Sequence, residues 1–355
     1  MLCLVAFLLG CSLWLFLGLR GDTIGWDFRA FYVAGKVPLA SLYDQAVFKE
    51  YGRETFGGQG TDYYPPYVRP AIFAVPLRIL SSLPFWHAFM LWYLLQLGVF
   101  ASSLHLLYRW FRVPIELLPA FGLFAPAVYG PVFGQDPNTV AFLLVASLVL
   151  LLRKKEWAAG LLLALTTYKF HTVLLLPLSL ALKRRYRALG WMCAGGLVLA
   201  LASVVLASPF SYLRLLRTMD QYVMGAGDDK SISLRSITHF LGWPPLFYLL
   251  GAGVLVRSVW AIPRLDLPRA ISVALLGSFL ITSHLGAYDA ASLLIPLFLA
   301  FRSECLRLQI IAGSFLVLFP IWPAWINAVL LLLMFFGLST STSNIPAEEE
   351  SLSRE

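Results

Sequence analysis

The sequence predicts an all-α integral membrane protein: a bundle of about 11–13 transmembrane or re-entrant helices with a structured first extracytoplasmic loop. Three observations carry that prediction. Of 355 residues, 59% are hydrophobic and only 13% charged, about half the charge of a soluble domain. Mean hydropathy is +0.76. Long apolar stretches recur from end to end and stay apolar for a whole span, whereas barrel strands alternate apolar with polar. This composition excludes a water-soluble globular enzyme, and it is the opposite of what keeps a chain disordered.

The charge pattern supports the same class. Net charge is +8, but the basic residues sit in short clusters between apolar segments: Arg109 and Arg112, Arg153 to Lys155, Lys183 to Arg187, Arg264 and Arg269, Arg302 and Arg307. Cytoplasmic loops carry such clusters, which set topology and meet anionic lipid. Membrane lipids, and no nucleic acid, are the partners this implies. The four cysteines, Cys3, Cys11, Cys193 and Cys305, lie in or beside apolar spans without a CxxC pair. Neither a disulfide framework nor a zinc site is indicated.

Taken in order, helices are expected near 1–19, 86–108, 115–133, 138–152, 157–168, 170–182, 188–207, 244–262, 269–284, 289–301, 307–322 and 324–338. Segment 1–19 is read as a retained first helix, because no basic residue precedes the Leu8-Leu9-Gly10-Cys11 box as a signal peptide requires. Residues 71–83, bounded by Pro70 and Pro84, suit an interfacial or re-entrant helix. Several segments are shorter than the roughly 20 residues of a full span, as happens where helices break around a buried site. One membrane domain therefore covers 1–338, with loop 20–70 outside the bilayer and a polar, acidic, disordered tail over 339–355.

Placing every basic cluster and the N-terminus inside assigns a side to each connection. Asp27, Gln135, Asp136, Lys169, His171, His284 and Asp289 then all fall on the outer face. Ionisable groups at a membrane edge are functional candidates by default, and their convergence on one side points to an outward-facing site in a multi-pass protein of the cell membrane.

Each candidate has a chemistry and a bland alternative. Asp27 starts an aromatic stripe, Phe28, Phe31 and Tyr32; it is either a helix N-cap or a general base at the membrane edge. Tyr64, in Tyr63-Tyr64-Pro65-Pro66-Tyr67, is either a loop brace or an aromatic platform for a sugar. Lys169 lies between two short apolar helices, outside despite the positive-inside trend. A lysine there either snorkels to the interface or, if buried, needs an anion, and with His171 it suits a phosphate. His284, Tyr288 and Asp289 follow a span; no GxSxG nucleophile or HExxH metal motif accompanies them, leaving a phosphate contact or a structural hydrogen bond. Gln135 and Asn138 mark a polar helix break, and helix N-termini bind anions. No Walker A or dinucleotide fingerprint is present.

In this order and spacing, Asp27 with Tyr32-Val33-Ala34, Leu42-Tyr43, Tyr64-Pro65-Pro66, Gly134-Gln135, Ala158-Ala159-Gly160 through Tyr168-Lys169 with Pro177, Ser231-Ile232-Ser233-Leu234, and Ser283-His284 with Tyr288-Asp289 resemble glycosyltransferase family 87. The resemblance runs over roughly residues 5 to 335. It implies a GT-C-type bundle and an inverting glycosyltransferase of the cell envelope, active in glycolipid biosynthesis. A hexose, mannose before others, would pass from a polyprenyl-phosphate sugar to a lipid or glycan acceptor hydroxyl on the extracytoplasmic face. Asp27 would be catalytic. Lys169, His171 and His284 would hold the donor phosphate. Tyr64, Gln135, Tyr288 and Asp289 would contact substrate, with no metal and no cofactor. An arabinosyl- or glucosyltransferase is the near alternative. A transporter or flippase for lipid-linked sugars would show internal repeats and midplane polar residues. A non-catalytic assembly subunit would not need these residues on one side.

Overall fold

A computed structural model describes residues 24–57, 66–111, 121–122, 124–211, 213–214, 217, 231–283, 286–319 and 323–340. Among them, every regular element is helical, and the protein is an all-α membrane protein. The expected first helix over 1–19 and the tail over 339–355 lie outside the described residues, apart from the end of the last helix.

Two short helices open the described chain: α1 (Trp26–Lys36) and α2 (Gln45–Phe56). A 3-10 turn at Ala71–Phe73 leads into α3 (Ala74–Ser81), the helix expected over 71–83. Then come α4 (Phe85–Phe111), α5 (Ala125–Phe133), α6 (Pro137–Leu152), α7 (Glu156–Thr166), α8 (Leu176–Leu182) and α9 (Tyr186–Ala207). The remainder comprises α10 (Leu234–Phe240), α11 (Leu246–Ala261), α12 (Leu267–Ile281), α13 (Leu294–Arg302), α14 (Leu306–Leu318) and α15 (Ala324–Thr340).

Three expected helices are broken. Within 115–133, helical geometry lapses at Phe124, and α5 begins at Ala125 with Pro126 in its first turn, where a missing N–H costs nothing. The segment starting at 170 is instead a 3-10 turn, Thr167–Thr172, with Lys169 off helical geometry at φ −116° and ψ 50°, followed by α8. The segment starting at 289 opens with a 3-10 turn, Ala287–Leu293, before α13. Apolar content alone does not register these breaks, because both sides of each are equally hydrophobic.

Among the described residues, three helices are long and apolar enough to cross a membrane: 85–111, 186–207 and 246–264, with 27, 22 and 19 residues. At 1.5 Å per residue the first is about 40 Å long. The centre of the bundle is α12 and α13, where Leu267 and Arg269 to Leu280, then Leu294 to Ala300, are all buried. In contrast α9 and α11 lie at the rim and expose Leu197, Val198, Val205, Leu249 and Val256, as lipid-facing helices do.

The first loop has a core of its own. Phe28, Phe31, Tyr32, Tyr43, Phe48, Tyr67 and Phe89 are buried in it. The rings of Phe28 and Phe89 lie 5.7 Å apart, and those of Tyr32 and Phe85 5.3 Å apart, in the tilted and edge-on arrangements aromatic pairs prefer. α1 packs on α3. The Ser81 hydroxyl donates to the Tyr32 carbonyl at 2.7 Å, and the Tyr32 hydroxyl to the Leu83 carbonyl at 2.6 Å. This module seats the outer helices on the start of α4, which fixes α1 and Asp27 against the bundle.

Candidate active site

α1 is capped by Gly25, in left-handed conformation at φ 67°, so Asp27 sits inside the first turn. The N-cap alternative for Asp27 is thereby overturned: a carboxylate one residue into the helix no longer has the cap's geometry. It gains from the positive end of the helix dipole instead, and the Gln135 side chain favours its charged form.

The turn from α5 to α6 is pressed onto this helix start. The Gly25 N–H donates to the Val132 carbonyl at 2.8 Å, and the Trp92 indole N–H to the Gly134 carbonyl at 3.0 Å. Gly134 has φ 93°, and a Cβ there would stand 2.3 Å from Phe28 Cβ and 2.5 Å from the Phe28 nitrogen. Only glycine permits both the conformation and the approach. Asn138, one candidate for an anion-binding helix break, is consumed structurally: its amide donates to the carbonyls of Gln96 and Ala127 at 3.2 and 2.7 Å.

Behind Asp27 lies a buried ionic network drawn from four segments. Arg69 grips Asp136 with both arms of its guanidinium, one of them at 2.6 Å, and donates to the Gln135 side-chain carbonyl at 3.2 Å. Its plane lies 4.5 Å from the Phe31 ring and 4.8 Å from the Tyr168 ring. The Tyr168 hydroxyl donates to Asp136 at 2.8 Å. Lys169 Nζ stands 2.7 Å from Asp289 and 3.2 Å from Asp136. His171 Nε2 is 3.6 Å from the second Asp289 oxygen, which also accepts from the Gly286 N–H at 3.2 Å. Each buried charge has an opposite partner, as desolvation requires. The anion that Lys169 needs is thus supplied by the chain itself.

Asp27, Gln135, Lys169, His171, Tyr288 and Asp289 all line one cavity of about 650 Å³. These are six of the eight residues given a catalytic or substrate role above; Tyr64 and His284 lie outside the described residues. The deep lining is polar, with Lys169 and Asp289 buried, whereas Phe170, Leu174 and Tyr248 line it with 52, 47 and 77% of their surface exposed. Asp27 keeps part of its surface open to the cavity. Burial raises its pKa above 3.8, opposed by the Gln135 side chain and by Lys169 and Arg69. Among the described residues, no group of three or more His, Cys, Asp or Glu is arranged to hold a metal ion.

Sequence reasoning missed Arg69, Tyr168, Arg235 and His239, all of which line this cavity, and gave Asp136 no role. A signal existed for two of them. Arg69 and Arg235 fall in connections assigned outside, against the positive-inside trend, which is the criterion that singled out Lys169.

The model of glycosyltransferase family 87 matches residues 64–287. Arg69, Gln135, Asp136, Lys169, His171 and Arg235 fall inside that stretch, while Asp27, Tyr288 and Asp289 lie outside it. No curated protein and no solved structure matches the chain. The match spans more than half of the sequence, and the chain belongs to glycosyltransferase family 87.

Proposed function

We propose that this glycosyltransferase moves a hexose, mannose before others, from a polyprenyl-phosphate sugar to a hydroxyl of a lipid or glycan acceptor on the extracytoplasmic face. One observation carries the reading: a single cavity joins a carboxylate open to it, Asp27, to basic side chains and to an exposed apolar rim. A lipid-linked anionic sugar has those three needs. The acceptor oxygen attacks the anomeric carbon, the bond from that carbon to the phosphate oxygen breaks, and the polyprenyl phosphate leaves. The acceptor proton passes to Asp27. The attack comes from the face opposite the leaving group, so the anomeric configuration inverts.

Negative charge grows on the departing phosphate and is met by donors placed for it. His171, with 26% of its side chain exposed, is one. Arg235 and His239, one turn apart on α10, also line the cavity. Lys169 supplies positive charge from behind while paired to its two carboxylates. The exposed aromatic and aliphatic residues Phe170, Leu174 and Tyr248 receive the first isoprene units. Tyr288 and, from its place in the sequence, Tyr64 would pack on the sugar, and His284 would join the phosphate donors. No metal and no cofactor enters this scheme.

The test is transfer by the purified chain in proteoliposomes containing a membrane lipid extract as acceptor. Polyprenyl-phosphate [14C]mannose should label a lipid-extractable or glycan product, and glucose or arabinose donors should label it less. Greater labelling from either of those donors would change the sugar. Movement of intact donor across the bilayer without transfer would instead make the protein a transporter.

A further inference from the structure

We infer that the end of α11 remote from the cavity carries a headgroup site for an anionic phospholipid, built from Arg257, Trp260 and Arg264. The lipid phosphate lies between the two guanidiniums, and an acyl chain runs along the exposed face of α11. Trp260 stands twelve residues beyond Tyr248, which lines the cavity, so the two sites are about 18 Å apart along the helix. This second site is separate from the sugar-transfer chemistry and does not depend on it.

Leu249, Val256 and Trp260 share one face of α11 by their seven- and four-residue spacing, with 67, 68 and 50% of their surface exposed. Between Leu249 and Val256 that face drops to Ala252 and Gly253, both exposed, and nothing stands within 4 Å of a Cβ built on Gly253. An acyl chain finds a shallow track there. The track ends at an indole that carries two cations: the guanidinium carbons of Arg257 and Arg264 each lie 4.4 Å from the centre of the Trp260 ring. They are therefore at most 8.8 Å apart, twice that distance. One phosphate can take a charge-assisted hydrogen bond from each across such a gap.

Helix capping accounts for part of this arrangement. Arg257 donates from Nε to the Ser339 hydroxyl and from Nη2 to the Ser339 carbonyl, both at 3.1 Å, which ties α11 to the last turn of α15. Arg264 donates to the Trp260 carbonyl, near the end of α11 where carbonyls run out of helical donors. Two helix C-termini together bring about one negative charge against two guanidiniums, so a net positive charge remains. Arg257 also keeps three of its five N–H groups beyond the two spent on Ser339. The acid next in sequence, Asp266, is committed elsewhere: it accepts the Arg269 N–H at 2.8 Å and lies 3.6 Å from the Arg269 guanidinium. Lys183 adds a further cation to the same turn by donating to the Leu265 carbonyl at 2.5 Å. Two guanidiniums at a lipid-facing helix end, without a carboxylate partner among the described residues, call for an anion from outside the chain. Arg264 and Lys183 belong to the clusters that the positive-inside rule assigns to the cytoplasm, and the leaflet there is the anionic one. A phosphatidylcholine head would bring its own cation into a field that is already positive.

Native mass spectrometry of the detergent-solubilised full chain, titrated with dioleoylphosphatidylglycerol or dioleoylphosphatidylcholine, compares two headgroups on identical acyl chains. The wild type should bind one phosphatidylglycerol about ten- to a hundredfold more tightly than one phosphatidylcholine. Arg264→Gln should remove most of that preference, and Arg257→Gln should do the same. Because Arg257 also ties down α15, Arg264→Gln, at an exposed residue, serves alone if the other variant does not fold. Arg153 lies 5.1 Å from a different indole, Trp110, in another basic cluster assigned to the same side; Arg153→Gln should leave the preference intact. Equal affinity of the wild type for the two lipids overturns the inference. So does a loss in Arg153→Gln as large as that in Arg264→Gln, which would make the attraction a diffuse one. Displacement of phosphatidylglycerol by inorganic phosphate would make this a free-anion site and overturn the lipid reading. A preference that emerges only when Glu348, Glu349 and Glu350 are all changed to Gln would give the site to the chain's own acidic tail, and overturns it as well.

Discussion

Lys169 and Asp289 are 120 residues apart in the chain, yet the ammonium donates to the carboxylate at 2.7 Å, with both side chains almost fully buried. This contact joins the turn between α7 and α8 to the turn before α13. It is also the wall of the cavity that Asp27 opens onto.

Breaking that pair from one side leaves an uncompensated buried charge. Lys169→Met strands Asp289 and removes one of the partners of Asp136, so it should destabilise the fold by about 3–5 kcal/mol. Lys169→Met combined with Asp289→Asn should recover part of that loss. Thermal unfolding in detergent, followed by tryptophan fluorescence, measures both; two losses that simply add would show the pair to be uncoupled.

Asp27→Asn keeps the shape and polarity of the side chain but cannot take a proton. The protein should fold and still bind polyprenyl-phosphate sugar, while turnover drops by about 10²–10⁴-fold. Turnover near that of the wild type would remove Asp27 from the chemistry.

The acid side of the pH–rate profile follows from the same residue. Asp27 acts as the carboxylate, and burial lifts its pKa above 3.8. Activity should therefore rise as pH increases through that raised value and fall as pH drops through it, with the limb displaced upward from the ordinary aspartate value. In Asp27→Glu the limb should move while in Asp27→Asn it should disappear from the residual rate. A profile flat down to pH 3.8 would contradict the base assignment.

Gly134→Ala introduces a Cβ 2.5 Å from the Phe28 nitrogen at a backbone φ of 93°. The turn must retreat from α1, which shifts Gln135 within the cavity that it shares with Asp27. The expected result is a loss of about 1–3 kcal/mol in stability with a fall in kcat that exceeds what the unfolded fraction accounts for. An alanine variant with wild-type kcat would show that the contact of the turn with α1 is dispensable.

Sidedness is open to cysteine labelling. Ser283 is exposed at the cavity lining, Ser82 is exposed just past α3 in the first loop, and Lys155 is exposed in the α6–α7 connection. Ser82→Cys and Ser283→Cys should react with a membrane-impermeant maleimide from the extracytoplasmic side, and Lys155→Cys only after permeabilisation. Labelling of all three from one side would invalidate the inside assignment of the basic clusters.

The sequence by itself determined the class and the placement of most helices, because burial in lipid is a composition-wide demand that a run of apolar residues meets regardless of its neighbours. It also brought Asp27, Gln135, Lys169, His171, Tyr288 and Asp289 forward one by one, since an ionisable or polar group at a membrane edge is costly wherever it stands. Their pairing was decided by tertiary structure alone. That Lys169 finds its anions in Asp289 and Asp136, that Arg69 is locked between Phe31 and Tyr168, and that Gly25 caps α1 in place of Asp27 are contacts between segments far apart in the chain. Spacing within one segment carries no record of them, because a buried charge selects its partner by distance in the folded bundle and not by position in the sequence.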